Sequence, residues 1–140
     1  MRPRQADLRR AVSAAYYAMF HALCETCADS FIGTPSPDRC ERAWRQTYRS
    51  INYGFAKNAC KMCVSPDYNF PQGIQDFADL FMTMQTLRHK ADYDPFATFS
   101  KSDALTAIGS AKSAIDDLNG TGNRHKAAFA AIMLFNVRKD

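Results

Sequence analysis

A chain of 140 residues with 46% hydrophobic and 23% charged residues has the balance of one globular domain with a sizeable core. No apolar run approaches the roughly 18 residues that span a bilayer, which leaves no candidate membrane span. Net charge is +4, compatible with a nucleic-acid partner and too small to establish one.

The positive charge is dispersed. Arg2, Arg4, Arg9 and Arg10 stand at the start, then Arg39, Arg42, Arg45 and Arg49, then Arg88 and Lys90, then Arg124, Lys126, Arg138 and Lys139. The basic start is followed by an amphipathic segment rather than an apolar signal core, and the five cysteines are an odd number. Together these predict a cytoplasmic protein with free thiols.

The pattern predicts five helices, no strand and no domain linker. In the first, from about Asp7 to Asp29, Leu8, Val12, Ala15, Tyr16, Met19, Phe20, Leu23 and Cys27 form one apolar stripe of helical period. Ala11, Ala14, Ala18 and Ala22 form a second face that lets another helix come close. Arg10, Ser13, Tyr17, His21 and Cys24 form a third. Such a helix belongs at the centre of a bundle or at a subunit interface.

A turn at Gly33–Pro37 leads to a second helix, from Pro37 or Asp38 to Ala59, with Ser36 as N-cap. Its expected inner face is Cys40, Ala43, Trp44, Thr47, Ile51 and Phe55. The third helix runs from Gln72 to Ala91 on a stripe of Phe77, Leu80, Phe81, Met84, Leu87 and Ala91, and Asp94-Pro95 ends it. The fourth starts at Ser100, with Asp103 completing a capping box, and closes at Asn119-Gly120. Ala104, Leu105, Ile108, Ala111, Ile115 and Leu118 are expected to face inward. Lys126 to Val137 is apolar nearly all round and predicts a buried fifth helix. Short loops between helices imply an all-α, antiparallel up-and-down bundle of four core helices plus a C-terminal helix, in a single domain.

Arg88 is the first candidate for chemistry, because it falls within an apolar stripe. A guanidinium cannot shed its charge, so it needs an anionic or hydrogen-bonding partner there. Asp92 lies four residues on along the same face, and Tyr93 adds a hydroxyl. Two readings follow: a structural ion pair that fixes the helix end, which is the commoner role, or a phosphate-binding arginine at a cleft mouth. His89 points about 100° away round the helix and, with Lys90, is placed to touch a phosphate backbone from the surface. His21 is the more enclosed histidine. His125 reads as surface.

Cys24-Glu25-Thr26-Cys27 and Cys60-Lys61-Met62-Cys63 form two C-x-x-C pairs, formally a four-thiolate zinc pattern. In a hairpin of the first two helices, Cys60 lies near the beginning of helix one, about 30 Å from Cys24 and Cys27. A shared site then requires helix two to be broken. Cys40 would lie closer to the first pair, where a partial site with His21 is the remaining arrangement. Neither pair has the strand-then-helix context of a thioredoxin-like motif. Buried thiols are the expected outcome, with no metal and no cofactor.

The segment from Arg9 to Leu23, with Tyr16-Tyr17-Ala18-Met19-Phe20-His21 at its centre, resembles the first helix of HEPN-domain proteins (the higher eukaryote and prokaryote nucleotide-binding family). Leu87-Arg88-His89-Lys90-Ala91-Asp92-Tyr93 resembles the end of that family's third helix, and the resemblance covers about residues 6 to 118. It implies a helical domain that forms homodimers, here through the alanine face of helix one and the apolar fifth helix. Many members are metal-independent ribonucleases of toxin or defence type. Others bind nucleotides or partner a nucleotidyltransferase or antitoxin. Ribonuclease members carry an Arg followed within a few residues by a His. Arg88 matches the Arg, but Tyr93, Asp94 and Pro95 stand where the His belongs. The resemblance thus points to RNA or a nucleotide as ligand. Arg88, Asp92, Tyr93 and His21 are its candidate catalytic residues, and Arg88, His89, Lys90 and Arg10 its nucleic-acid contacts.

Overall fold

A computed structural model describes residues 3 to 138; Arg2 and Lys139 lie outside them. Among the described residues there are six α-helices, one short 3₁₀ turn and no strand. They are α1 (Gln5–Phe31), α2 (Glu41–Arg49), α3 (Tyr53–Cys63), the turn Pro66–Tyr68, α4 (Gln72–Tyr93), α5 (Lys101–Asn119) and α6 (Asn123–Leu134). No helix among them is long and apolar enough to cross a membrane.

α1 is the central element and packs against α2, α4, α5 and α6. All eight residues of its predicted stripe are buried, from Leu8 to Cys27. The start of α1 is tied to distant chain at two places. The Gln5 amide donates to the Phe99 carbonyl at 2.7 Å and its carbonyl oxygen accepts from the Phe99 N–H at 2.9 Å. The start of α1 therefore lies beside the start of α5. Arg9 reaches the opposite polarity, the end of α4. Its Nη1 donates to the carbonyls of Lys90 (3.4 Å), Ala91 (3.0 Å) and Asp94 (2.8 Å), and its Nη2 donates to the Ala97 carbonyl. A helix leaves its last carbonyls without intrahelical partners, and one arginine here satisfies several of them.

α4 keeps the predicted inner face, with Phe77, Phe81, Met84 and Ala91 buried, and it ends before Pro95. α5 keeps the predicted capping box, Ser100 Oγ accepting from the Asp103 N–H at 3.0 Å and Asp103 Oδ2 from the Ser100 N–H at 2.8 Å. Gly120 caps its end.

Four expectations are corrected. The predicted second helix is two helices. Glu41, not Pro37, opens α2, with Cys40 as its N-cap; Ser36 instead accepts a turn bond from the Arg39 N–H. α2 stops at Ser50, whose hydroxyl donates to the Thr47 carbonyl, and Asn52 starts a new helix by accepting from the Phe55 N–H at 3.0 Å. Local caps thus override an apolar period that runs across them. The chain reverses here. On α2, Trp44 donates to Asp29 and Tyr48 meets His21, so α2 runs back along α1. On α3, Tyr53 stacks on Phe20 at 4.4 Å, and Cys63 lies close enough to Cys27 to raise its thiol pKa, so α3 runs forward again.

The inner face of α5 is alanine. Ala104, Ala107, Ala111, Ala114 and Leu118 are buried, whereas Leu105 is 59% and Ile108 46% exposed. The small residues let α1 and α4 approach, and the larger ones fall outside that contact. The last helix begins three residues earlier than expected and buries one face only, Phe129, Ala130 and Met133; its outer face is alanine and partly solvated.

Candidate functional site

The α2–α3 break brings Tyr53 to the same place as Tyr16 and Tyr17 of α1. These three rings and Tyr93 of α4 surround the Arg88 guanidinium. Its central carbon lies 5.3 Å from the Tyr16 ring centre, 5.7 Å from Tyr53, and 5.9 Å from both Tyr17 and Tyr93. These are cation–π distances, and a desolvated guanidinium gains most from them. The Arg88 side chain is 14% exposed. Asp92 lies at 3.6 Å from its Nη1, an ion pair longer than a hydrogen bond, and accepts from the Ser13 hydroxyl at 3.4 Å. Burial works against the Arg88 charge, but Tyr17, Tyr16, Asp92 and Tyr93 outweigh it and raise the pKa above the ordinary arginine value. Burial likewise drives the Tyr16 hydroxyl far above its usual range, with Arg88 opposing. Neither group ionises differently anywhere near neutral pH.

The polar atoms of the cage are under-satisfied. Among the described residues, three buried side-chain atoms lack a hydrogen-bond partner: Tyr16 Oη, Gln85 Oε1 and Arg88 Nε. Gln85 is held in place by its own amide, which donates to the Tyr53 carbonyl at 3.1 Å. Unpaired buried polar atoms are few in native proteins; here one belongs to the guanidinium itself and the others to Tyr16 and Gln85, whose side chains lie close enough for Gln85 to lower the Tyr16 hydroxyl pKa. A cleft of about 370 Å³ opens beside them, lined by Lys57, Gln85, Thr86, Arg88, His89 and Lys90. Its rim carries Lys57 and Lys90, both exposed. His89 is exposed and packs on Tyr93 at 5.0 Å between ring centres.

The predicted site residues therefore divide. Arg88, Asp92 and Tyr93 share one cage, and His89 and Lys90 lie at its rim. His21 does not join them. It is exposed rather than enclosed, and its Nδ1 lies 2.5 Å from the Tyr48 hydroxyl, with the two rings stacked. Arg10 is solvated and pairs with Asp7 at 3.7 Å. Sequence reasoning missed Tyr53 and Lys57, whose place on α3 depends on the unread break, and Gln85 of α4, a polar residue one turn before Arg88. The Tyr16-Tyr17 doublet was visible, but its aim at Arg88 was not.

The same break overturns the argument that separated the cysteines. Cys24, Cys27, Cys60 and Cys63 are all buried in one end of the core. Among the described residues no three His, Cys, Asp or Glu side chains are placed to hold one metal ion. Burial pushes the Cys24 and Cys63 thiols up to about 12, and burial with neighbouring thiols pushes Cys27 and Cys60 further still. A thiol reacts as its thiolate, so these four are inert at ordinary pH. Cys40 is exposed. Titration of the native protein with an aromatic disulfide at pH 8 is expected to modify one thiol quickly and the other four only on unfolding. Rapid modification of two or more would contradict the buried cluster.

No protein-family model, curated protein or solved structure matches this chain.

Proposed function

We propose that the Arg88 cleft binds the sugar–phosphate backbone of RNA, making this an RNA-directed protein of HEPN type. The observation that carries this reading is the pair of unpaired polar atoms on side chains that line the cleft, Arg88 Nε and Gln85 Oε1. Arg88 Nε–H is a donor, which a phosphate oxygen accepts. Gln85 Oε1 is an acceptor, which a hydroxyl satisfies. A ribonucleotide presents both, since its 2′-hydroxyl donates beside the phosphate. The rim cations Lys57 and Lys90 extend the favourable potential outward, and the exposed Tyr93 ring offers a face for a base to stack on.

Metal-independent cleavage would ask more of the site than binding. The 2′-hydroxyl needs a base, the charged phosphate a cation and the leaving oxygen an acid. Arg88 supplies the cation. Asp92 is engaged with Arg88 at 3.6 Å. His89 is the imidazole that lines the cleft. In this reading a toxin or defence ribonuclease whose usual histidine is absent relies on His89 from the rim.

The test is binding of a short fluorescent uridine oligomer at several salt concentrations, with cleavage followed in EDTA. Replacing Lys57 and Lys90 together by glutamine is expected to weaken binding and to flatten the log-affinity against log-salt slope by about 1.4, near 0.7 per phosphate contact on a single strand. An unchanged slope would remove the rim lysines from the interface. Wild type that ignores RNA but co-purifies with another chain would favour a partner-binding module of the nucleotidyltransferase or antitoxin kind.

A further inference from the structure

The last turns of α1 line a second cleft, of about 460 Å³, which shares no residue with the Arg88 cleft. The loop after α1, the end of α5 and the start of α6 complete it.

Thr26 marks this cleft. Thr26 and Thr47 are the two buried threonines. The Thr47 hydroxyl donates back to the Ala43 carbonyl at 2.8 Å, the usual partner of a helical threonine, and Thr83 and Thr86 likewise donate to carbonyls one turn back. Thr26 is only 7% exposed, and its hydroxyl has no hydrogen bond among the described residues. It lines the cleft instead, in one row with Ala22 and Ser30. A hydroxyl taken out of water without a partner costs stability, and a polar ligand in the cleft supplies the partner.

The charges beside Thr26 say what kind of ligand. Glu25 and Asp29 also line the cleft, one helical turn and roughly 6 Å apart along α1. Glu25 forms no ion pair among the described residues. Asp29 accepts from the Trp44 N–H at 2.9 Å and faces Arg39 at 3.6 Å, both through Oδ1, which leaves Oδ2 without a hydrogen bond. Arg39 is itself held by Glu41, at 2.8 and 3.1 Å. Lys126, the cation among the lining residues, donates to the Asn119 carbonyl at 2.8 Å and pairs with neither carboxylate. Ionised carboxylates only accept, and an ammonium group only donates, three times. Among the described residues no three His, Cys, Asp or Glu side chains gather as metal ligands, so these acceptors fit an organic cation better than a metal ion. Ala22, Ile115 and Ala127 give the cleft an apolar wall suited to methylene groups.

We propose that this cleft binds an aliphatic diamine or polyamine. Its ammonium groups lie against Glu25 and Asp29, one of them also donating to the Thr26 hydroxyl, and its methylenes lie on the apolar wall. The inference is independent of what the Arg88 cleft binds. Calorimetric titration with putrescine at low salt, without RNA, tests it, and one saturable site per chain is expected. Butylamine, with a single ammonium, is expected to bind about tenfold more weakly, and Glu25→Gln to raise the Kd for putrescine about tenfold. Asp67→Asn, a charge change outside the cleft, is expected to leave the Kd unchanged. Thr26→Val keeps the branched shape and removes the hydroxyl. It is expected to raise the Kd about fivefold with a thermal midpoint no lower than wild type, because that hydroxyl has no partner in the free protein. Absence of saturable binding overturns the proposal. So does sorbitol or butylamine binding as tightly as putrescine, or a Glu25→Gln or Thr26→Val protein that binds putrescine like wild type.

Discussion

Arg88→Met is expected to lower RNA affinity about a hundredfold, near 2.7 kcal/mol, while leaving the helical fold in place. The effect is large because the guanidinium sits at 14% exposure among four tyrosine rings, where its charge is poorly screened. Methionine keeps much of the volume and fills the cage with a flexible apolar chain. Replacing a whole buried ion pair by hydrophobic residues of similar size is often close to neutral for folding, and removing one member is costly where the other stays buried. Asp92 would lose its partner, but it is partly exposed and keeps the Ser13 hydroxyl. Binding and stability should therefore separate: a midpoint of unfolding within about 1 kcal/mol of wild type, and affinity largely gone. Arg88→Lys is expected to fall between, about tenfold down, since a point charge on a mobile stem loses the planar stacking. Equal affinity of wild type and Arg88→Met would remove the cage from the binding site.

Several parts of this arrangement were legible in the sequence for simple reasons. The α1 stripe and the α4 inner face follow from a 3.6-residue period sustained over many turns. The Ser100–Asp103 box follows from cap chemistry at a fixed spacing. The Arg88–Asp92 pair follows from i,i+4 geometry on one helix. What failed has physical causes too. The apolar period of the second helix continues through Ile51 and Phe55, so it hides the caps at Ser50 and Asn52 that turn the chain round. That one reversal moves Tyr53 onto Arg88 and Cys63 beside Cys27, and neither neighbour is inferable from a continuous helix. On α5 the larger apolar residues were read as inward, yet close helix approach selects the alanines and leaves Leu105 and Ile108 outside. Arg9 read as one charge among many because its partners are carbonyls, and carbonyls leave no mark in a sequence.

Arg9→Met is expected to be the most destabilising exposed-end substitution in the chain, by about 3 kcal/mol. The α4 terminus and the Asp94–Ala97 segment beyond it turn their carbonyls toward one guanidinium. Hydrogen bonds to a charged donor are worth more than neutral ones, and removing the donor leaves several part-buried acceptors unmatched. For a domain of this size the loss corresponds to a fall of roughly 10 °C in Tm. The damage should also be local first. The last turn of α4 carries Asp92 and Tyr93, and it is held to α1 by Arg9 and by Ser13. Amide exchange over the α4 end and Asp94–Phe99 is expected to accelerate before the α4 midsection, where Phe77 and Phe81 are fully buried. RNA affinity should drop with it, by less than in Arg88→Met, because the cage loses Tyr93 and keeps its other three rings. If Tm falls by less than about 3 °C, the Arg9 contacts do not hold the α4 terminus and the cage rests on Arg88 and its rings alone.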